Sequence, residues 1–274
     1  MRHAKLKKAL PYIVLSILAI VFALPLVWVV LASLDLNASS GVKIPSSFTI
    51  QNYIDVIKSQ TNQRALKNGL YISLVQSLIV VFVSILAAYP LSRFELKCKK
   101  IFMLTILFMT ALPMTAVMVP VYKMFLTIKL YNSIPGVILF MTATSLPYGI
   151  WLMKNSMDGV PMELEEAAKV DGATTLTSIF KVIVPLMFPG ICVVFIYTFS
   201  GSWGNFFVPY ILLSTAEKMP ASVQLYQFFG QNGMVVYGQL AAYSALYALP
   251  SIILYVLSQS YMSKGFNLSG AAKG

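Results

Sequence analysis

The sequence predicts an all-α, polytopic membrane bundle of six transmembrane helices, and three observations predict it. Of the 274 residues, 58% are hydrophobic and only 11% charged, with a mean hydropathy of +0.78, far outside the range of soluble chains. The 20 Lys and Arg and 9 Asp and Glu cannot cover a globule of this size without exposing large apolar patches, so lipid must do the covering. Six apolar runs contain no Asp, Glu, Lys, Arg or His, and each reaches the roughly 20 residues that a helical span needs. None alternates like a barrel strand, and helices satisfy every backbone polar group within lipid.

The first run, Ala9 to Ala32, follows Arg2, Lys5, Lys7 and Lys8. It exceeds the roughly 7 to 15 apolar residues of a signal peptide and is read as a retained helix. Gly69 to Leu91, Ile101 to Tyr122 and Ile134 to Met153 follow as continuous spans. The fifth, Val182 to Leu213, is overlong and holds Pro185, Pro189, Gly201, Gly204 and Pro209, which predicts an interfacial start and a kink. Leu240 to Met262 is the sixth. Residues 1–274 are read as a single transmembrane domain, with a loop at 154–182 between the fourth and fifth spans.

The net charge of +11 records topology. With the amino terminus inside, the inner segments hold thirteen basic residues: Arg2, Lys5, Lys7, Lys8, Arg93, Lys97, Lys99, Lys100, Lys154, Lys169, Lys181, Lys264 and Lys273. The outer segments hold the other seven of the 20: Lys43, Lys58, Arg64, Lys67, Lys123, Lys129 and Lys218. Basic residues favour the cytoplasmic side, so both termini are expected there, and no nucleic-acid partner is needed to account for the charge.

Several chemistries are excluded or disfavoured. The only histidine is His3, and Cys98 and Cys192 stand far apart, so a His-based triad, a zinc cluster and a disulfide framework are ruled out. Ion-coupled transporters usually place ionisable groups at membrane depth, and these spans have none, which disfavours a stand-alone secondary transporter. No G-x-x-x-x-G-K-[ST] loop is present, so ATP would have to be handled by another chain.

Five of the nine acids, Asp158, Glu163, Glu165, Glu166 and Asp171, crowd into the loop after the fourth span. Pro161 to Gly172 reads as a short helix, with proline at its first position, glutamates in its first turn and glycine past its end. Glu165 and Lys169 form an i, i+4 pair, and Leu164, Ala167 and Ala168 form a narrow apolar stripe. Such a helix suits a groove in a cytoplasmic partner, with Glu163 or Glu166 meeting a cation there. The alternative is an amphipathic helix lying on the chain's own cytoplasmic face.

Glu166-Ala167-Ala168, then Gly172, then an apolar-x-apolar-Pro ending at Pro185, resembles the EAA loop of inner-membrane subunits of binding-protein-dependent ABC importers. Val182 and Val184 stand where the family has isoleucine and leucine. Ser47-Phe48-Thr49-Ile50-Gln51-Asn52-Tyr53, Ala88-Tyr89-Pro90-Leu91-Ser92-Arg93-Phe94 and the tail Gly270-Ala271-Ala272-Lys273-Gly274 are similar to segments of its carbohydrate-type, maltose-like G permeases.

The resemblance implies a type I importer permease of the bacterial inner membrane, non-catalytic and without a cofactor of its own. Its partners would be a second permease subunit forming a heterodimer, an ATPase dimer carrying ATP and Mg, and an extracytoplasmic sugar-binding protein. It assigns ATPase coupling to Glu163, Glu166, Ala167, Ala168, Asp171 and Gly172, with the tail Lys273 and Gly274 also reaching the ATPase. Tyr197, Ser200, Trp203 and Asn205 are candidates for the sugar path, because aromatic faces and hydroxyl or amide groups bind sugars. Gly204 stands where the family has asparagine. An importer of a non-sugar solute is the alternative.

Overall fold

The computed structural model describes the backbone of residues 2–229 and 235–271, and the side chains of 11–229 and 235–259. The described residues form helices and turns. In order they are α1 (Arg2–Ser33), α2 (Gln51–Lys58), α3 (Gln60–Arg93), α4 (Lys99–Met109), α5 (Met114–Thr127), α6 (Ile134–Asp158) and α7 (Met162–Val170). There follow α8 (Thr175–Ser178), a π-helical turn (Ile179–Ile183), α9 (Val184–Leu186), α10 (Phe188–Trp203), α11 (Phe207–Leu212), a 3₁₀ turn (Ala216–Lys218), α12 (Ala221–Gln227) and α13 (Tyr237–Ala271).

Contacts divide the chain into two compact units, Met1–Gln63 with Gln224–Leu249 and Arg64–Val223 with Pro250–Gly274. In the first, the amide of Asn52 is buried and donates to the carbonyls of Ser33 and Asp35, while Tyr53 donates to the Ser33 hydroxyl. This Asn-Tyr pair ties α2 to the end of α1. The apolar window of α1 buries nothing within the chain, so its side chains need lipid or another chain around them.

Among the described residues, four helices are long and apolar enough to span a membrane, and two bent pairs bring the number to six when each pair is counted as one span. The fifth span kinks as expected: the helices on either side of Met187 meet at 82°. Pro185 has no N–H to offer Lys181, and one residue earlier the Val184 N–H reaches back five residues to Ile179, giving the π turn.

The third span departs from the expected continuous run. Lys99–Met109 and Met114–Thr127 meet at 89°. Pro113 caps α5 in an extended conformation and drives the residue before it out of the helical region.

In the second unit, α6 is the central element, packing on α10, α4 and α11. One core cluster surrounds its first turns, with Val137, Ile138, Phe140 and Met141 against Met118, Phe125, Val208 and Leu212. A second surrounds its end, with Met153 and Met157 against Val80, Tyr89, Ile183 and Val194. Gly149 lies so close to Val80 and Ser84 of α3 that a Cβ there would displace them. Gln76, fully buried in mid-α3, donates to Ser145 of α6 at 3.0 Å, a polar tie of the kind that joins helices in lipid.

Candidate functional site

The end of α3 carries Tyr89, Ser92 and Arg93, and each reaches another element. The Tyr89 hydroxyl donates to Oε1 of Glu165 at 2.5 Å, and Arg93 Nε pairs with Oε2 at 2.9 Å. Lys169, one turn along α7, reaches Oε1 at 2.9 Å. Both side chains of the Arg93–Glu165 pair are nearly fully buried, 5% and 4% exposed. Burial pushes the Glu165 carboxyl up, but the hydrogen bonds from Tyr89, Lys169 and Arg93 outweigh it and hold the group below its ordinary value. Glu165 in turn raises Lys169, chiefly through their hydrogen bond.

The clamp extends to the end of α6. Arg93 Nη2 donates to the Val160 carbonyl at 3.1 Å and Ser92 to Asp158 at 2.6 Å; Lys154 pairs with Asp158 on the same helix. Together α3, α6 and α7 are tied through three residues of α3.

This geometry turns α7 inside out. Its carboxylate Glu165 faces the protein, while Leu164 (45% exposed) and Val170 (87% exposed) face outward, alongside Glu163, Glu166 and Ala167; Ala168 is half-buried. Asp171 and Gly172 are exposed and end the helix. Gly172 has φ +84, its N–H bonds the Lys169 carbonyl and the Ala173 N–H the Ala168 carbonyl. That is a complete Schellman cap, as the glycine predicts. Pro161 falls one place outside the expected position, at the cap preceding Met162.

Midway along α6, between the two core clusters, lies a cavity of about 400 Å³. Tyr197 and Asn205 line it. Trp203 does not: it is 4% exposed, stacked on Phe199 and set against Gly69. Ser200 is exposed but outside the cavity wall. Gly204 has an ordinary helical φ of −79, so the backbone there makes no demand for glycine. Lys273 and Gly274 lie outside the described residues.

Sequence reasoning missed Tyr89, Arg93 and the inward turn of Glu165. The available signal was the i, i+4 spacing of Tyr89 and Arg93, which sets an aromatic donor and a cation on one face at the end of a span.

The family described as "Binding-protein-dependent transport system inner membrane component" matches residues 79–264, which include the α3 clamp, α7 and the cavity. The chain belongs to this family. A trehalose transport system permease protein, SugB, of Mycobacterium tuberculosis is 31% identical, with 98% of this chain and 99% of that one covered. A sulfoquinovosyl glycerol transport system permease protein, SmoH, of Agrobacterium fabrum is 29% identical over 96% and 93%. Among solved structures, a bacterial ABC transporter involved in import of the acidic polysaccharide alginate matches with a TM-score of 0.81 at 22% identity, over 95% of this chain and 98% of that one. The chain is thus a multi-pass membrane subunit with the permease fold of an ABC importer.

Proposed function

We propose that this chain forms, with a second permease, the path by which a carbohydrate delivered by an extracytoplasmic binding protein crosses the bacterial inner membrane. ATP hydrolysis takes place in a separate ATPase dimer, and this chain catalyses nothing. Both termini and the 154–182 segment lie on the ATPase side, in agreement with the basic excess there. Permeases named for trehalose and for sulfoquinovosyl glycerol align along almost the whole chain, which supports the carbohydrate reading.

One observation carries the coupling role: the inside-out α7. An isolated amphipathic helix would bury Leu164 and expose Glu165; here the polar clamp holds the helix with its apolar and small side chains outward. That face suits a groove in the ATPase, with Glu166 and Glu163 offered to cations there and the small Ala167 allowing close approach. Movement of α7 then carries the ends of α3 and α6 with it, because Arg93 and Glu165 leave little room for slippage.

The test is reconstitution of the complete assembly. Glu166→Lys is expected to reduce ATP-driven sugar uptake by at least about tenfold while the permease still inserts and melts normally, since Glu166 is exposed and a surface charge contributes little to stability. Normal uptake by that variant would overturn the ion-pair role, and sugar uptake by this chain without an ATPase would overturn the importer reading.

A further inference from the structure

The turn between α3 and α4 carries three cations that the clamp does not use. α3 ends at Arg93 and α4 begins at Lys99, so five residues, Phe94 to Cys98, connect them. The Leu96 N–H bonds the Phe94 carbonyl and the Lys99 N–H the Leu96 carbonyl, which keeps the turn tight. The apolar run of α3 reaches Leu91 and that of α4 starts at Ile101. A tight turn with an apolar helix on each side of it stays at the level of the headgroups of one bilayer surface.

Lys97 and Lys100 are exposed and Lys99 is half-buried. None of the three has an ion pair or a side-chain hydrogen bond among the described residues, whereas Arg93 is held by Glu165. One acid, Glu95, stands among them. Topology accounts for the sign of these charges but not for the side chains between and beside them: Phe94, Leu96, Ile101 and Phe102 are all exposed. A bilayer surface fits both, because the apolar groups sink below the headgroups while the ammonium groups reach up to the phosphates. A cytoplasmic protein would meet the lysines and leave uncovered Ile101 and Phe102, which begin the apolar helix beyond them.

We infer that this turn is a docking surface for anionic lipid headgroups, and that the contact bears on the clamp through Phe94. The Phe94 ring meets that of Tyr89 edge-on, with centroids 6.0 Å apart and planes at 81°, and Tyr89 is the donor to Glu165 Oε1. Lipid that fixes the turn holds Phe94 against Tyr89 and so restrains α7. The consequence for coupling rests on the importer reading; the lipid contact itself does not.

The test places a fluorophore on Cys98, which is exposed in the middle of the turn, in a Cys192→Ser background with cysteine-free partner subunits. The complete assembly is reconstituted in vesicles containing phosphatidylglycerol or phosphatidylcholine that carries a nitroxide quencher near the top of its acyl chain. Each lysine beside an anionic surface contributes about fivefold, so half-quenching is expected at an at least about fivefold lower mole fraction of phosphatidylglycerol. The preference should shrink in high salt and vanish when Lys97→Gln, Lys99→Gln and Lys100→Gln are combined. Equal quenching by the two lipids, or a preference that survives the triple substitution, overturns the surface; equal quenching together with loss of the ATPase from the triple variant assigns the lysines to that subunit instead. Hydrogen exchange of the α7 amides reads the link to the clamp. It is expected to be up to about fivefold slower in phosphatidylglycerol than in phosphatidylcholine vesicles, with the difference lost in Phe94→Ala and kept in Phe94→Tyr. No difference in the unsubstituted assembly, or a full one in Phe94→Ala, overturns the link. Neither readout needs sugar or ATP: failure of the unsubstituted assembly to import any sugar removes the importer reading and leaves the lipid surface standing, whereas equal quenching with uptake intact removes the surface alone.

Discussion

At its start, α6 is held by Asn132, whose Oδ1 accepts the N–H groups of Ser214 and Thr215, whose Nδ2 donates to Thr215, and whose carbonyl accepts from Lys218. At its end, 25 residues on and so about 37 Å away, the neighbouring chain is held by Glu165 among Tyr89, Arg93 and Lys169. The first clamp relies on a neutral side-chain amide and pins one turn to another. The second is ionic, buried, and spans three helices. A neutral clamp closes a surface and asks nothing more of it. The ionic clamp draws Glu165 inward and leaves Leu164 and Val170 exposed beside Glu163 and Glu166, the face proposed above to meet the ATPase, so on that proposal the two ends differ in what they offer as well as in what holds them.

Arg93→Ala should show the difference most strongly. Removing one partner of a buried pair costs about 3–5 kcal/mol; Tyr89 and Lys169 still face Glu165, so the lower end applies. Hydrogen exchange of the α7 amides is expected to accelerate by about a hundredfold, with no change at 212–218, and sugar uptake should be lost. Acid should act on the same clamp. Because the carboxyl of Glu165 lies below its ordinary value in the folded chain, its contribution is present above the usual carboxylate range and is lost as pH falls through that lowered value. Lower α7 protection factors at acid pH, taken relative to the intrinsic exchange rate at each pH, in the unsubstituted protein, and a much smaller loss of protection in Glu165→Gln, are the expected pair of results. Equal acid sensitivity at Asn132 would erase the distinction between the two ends.

Asn132→Ala should cost less, about 2 kcal/mol, from three side-chain hydrogen bonds of net value near 1 kcal/mol each that water partly replaces. Its left-handed φ of 54 adds to the penalty for alanine. The loss should appear as faster exchange at 212–218 and stay constant through the carboxylate range. A pH-dependent loss would mean that Lys218 and a nearby acid, not the amide, govern this end.

What the sequence shows of these regions follows from the range of the forces involved. The Gly172 cap and the kinked fifth span are local, written in one glycine and two prolines a few residues apart. The bend in the third span was not foreseen because its apolarity runs unbroken through Pro113, although the chain turns by 89° there; hydropathy reports the solvent around a helix, and both arms can share it. Glu165 meets Tyr89 and Arg93 across 76 and 72 residues, and no periodicity within α7 distinguishes an inward glutamate from an outward one. Counting acids singled out the loop that carries Glu165, but put forward Glu163 and Glu166 as its principal carboxylates and left unrecognised the one that anchors α7 to α3. The cavity wall is drawn from α4, α5, α6 and α10, and Tyr197 of α10 meets Tyr148 of α6 only once those two helices are packed together.

The smallest expected effect compares backbone strain at the two ends. Gly172 ends α7 at φ +84, and nothing lies within 4 Å of where its Cβ would stand, so Gly172→Ala has no steric component. Its cost is the left-handed conformation, about 1 kcal/mol, and should be read as a roughly fivefold faster exchange of the Ala173 amide. At the other end, Lys129 occupies the same region with φ 58 and no glycine to ease it. Lys129→Gly relieves that strain but adds freedom to the unfolded chain, two terms of about 1 kcal/mol and opposite sign, so the melting temperature should barely move. If Lys129→Gly proved clearly destabilising, the lysine side chain would be making a contribution there that its exposed position does not explain. If Gly172→Ala proved neutral, the Schellman cap would not be what fixes the end of α7, and the clamp at Glu165 would be holding the helix by itself.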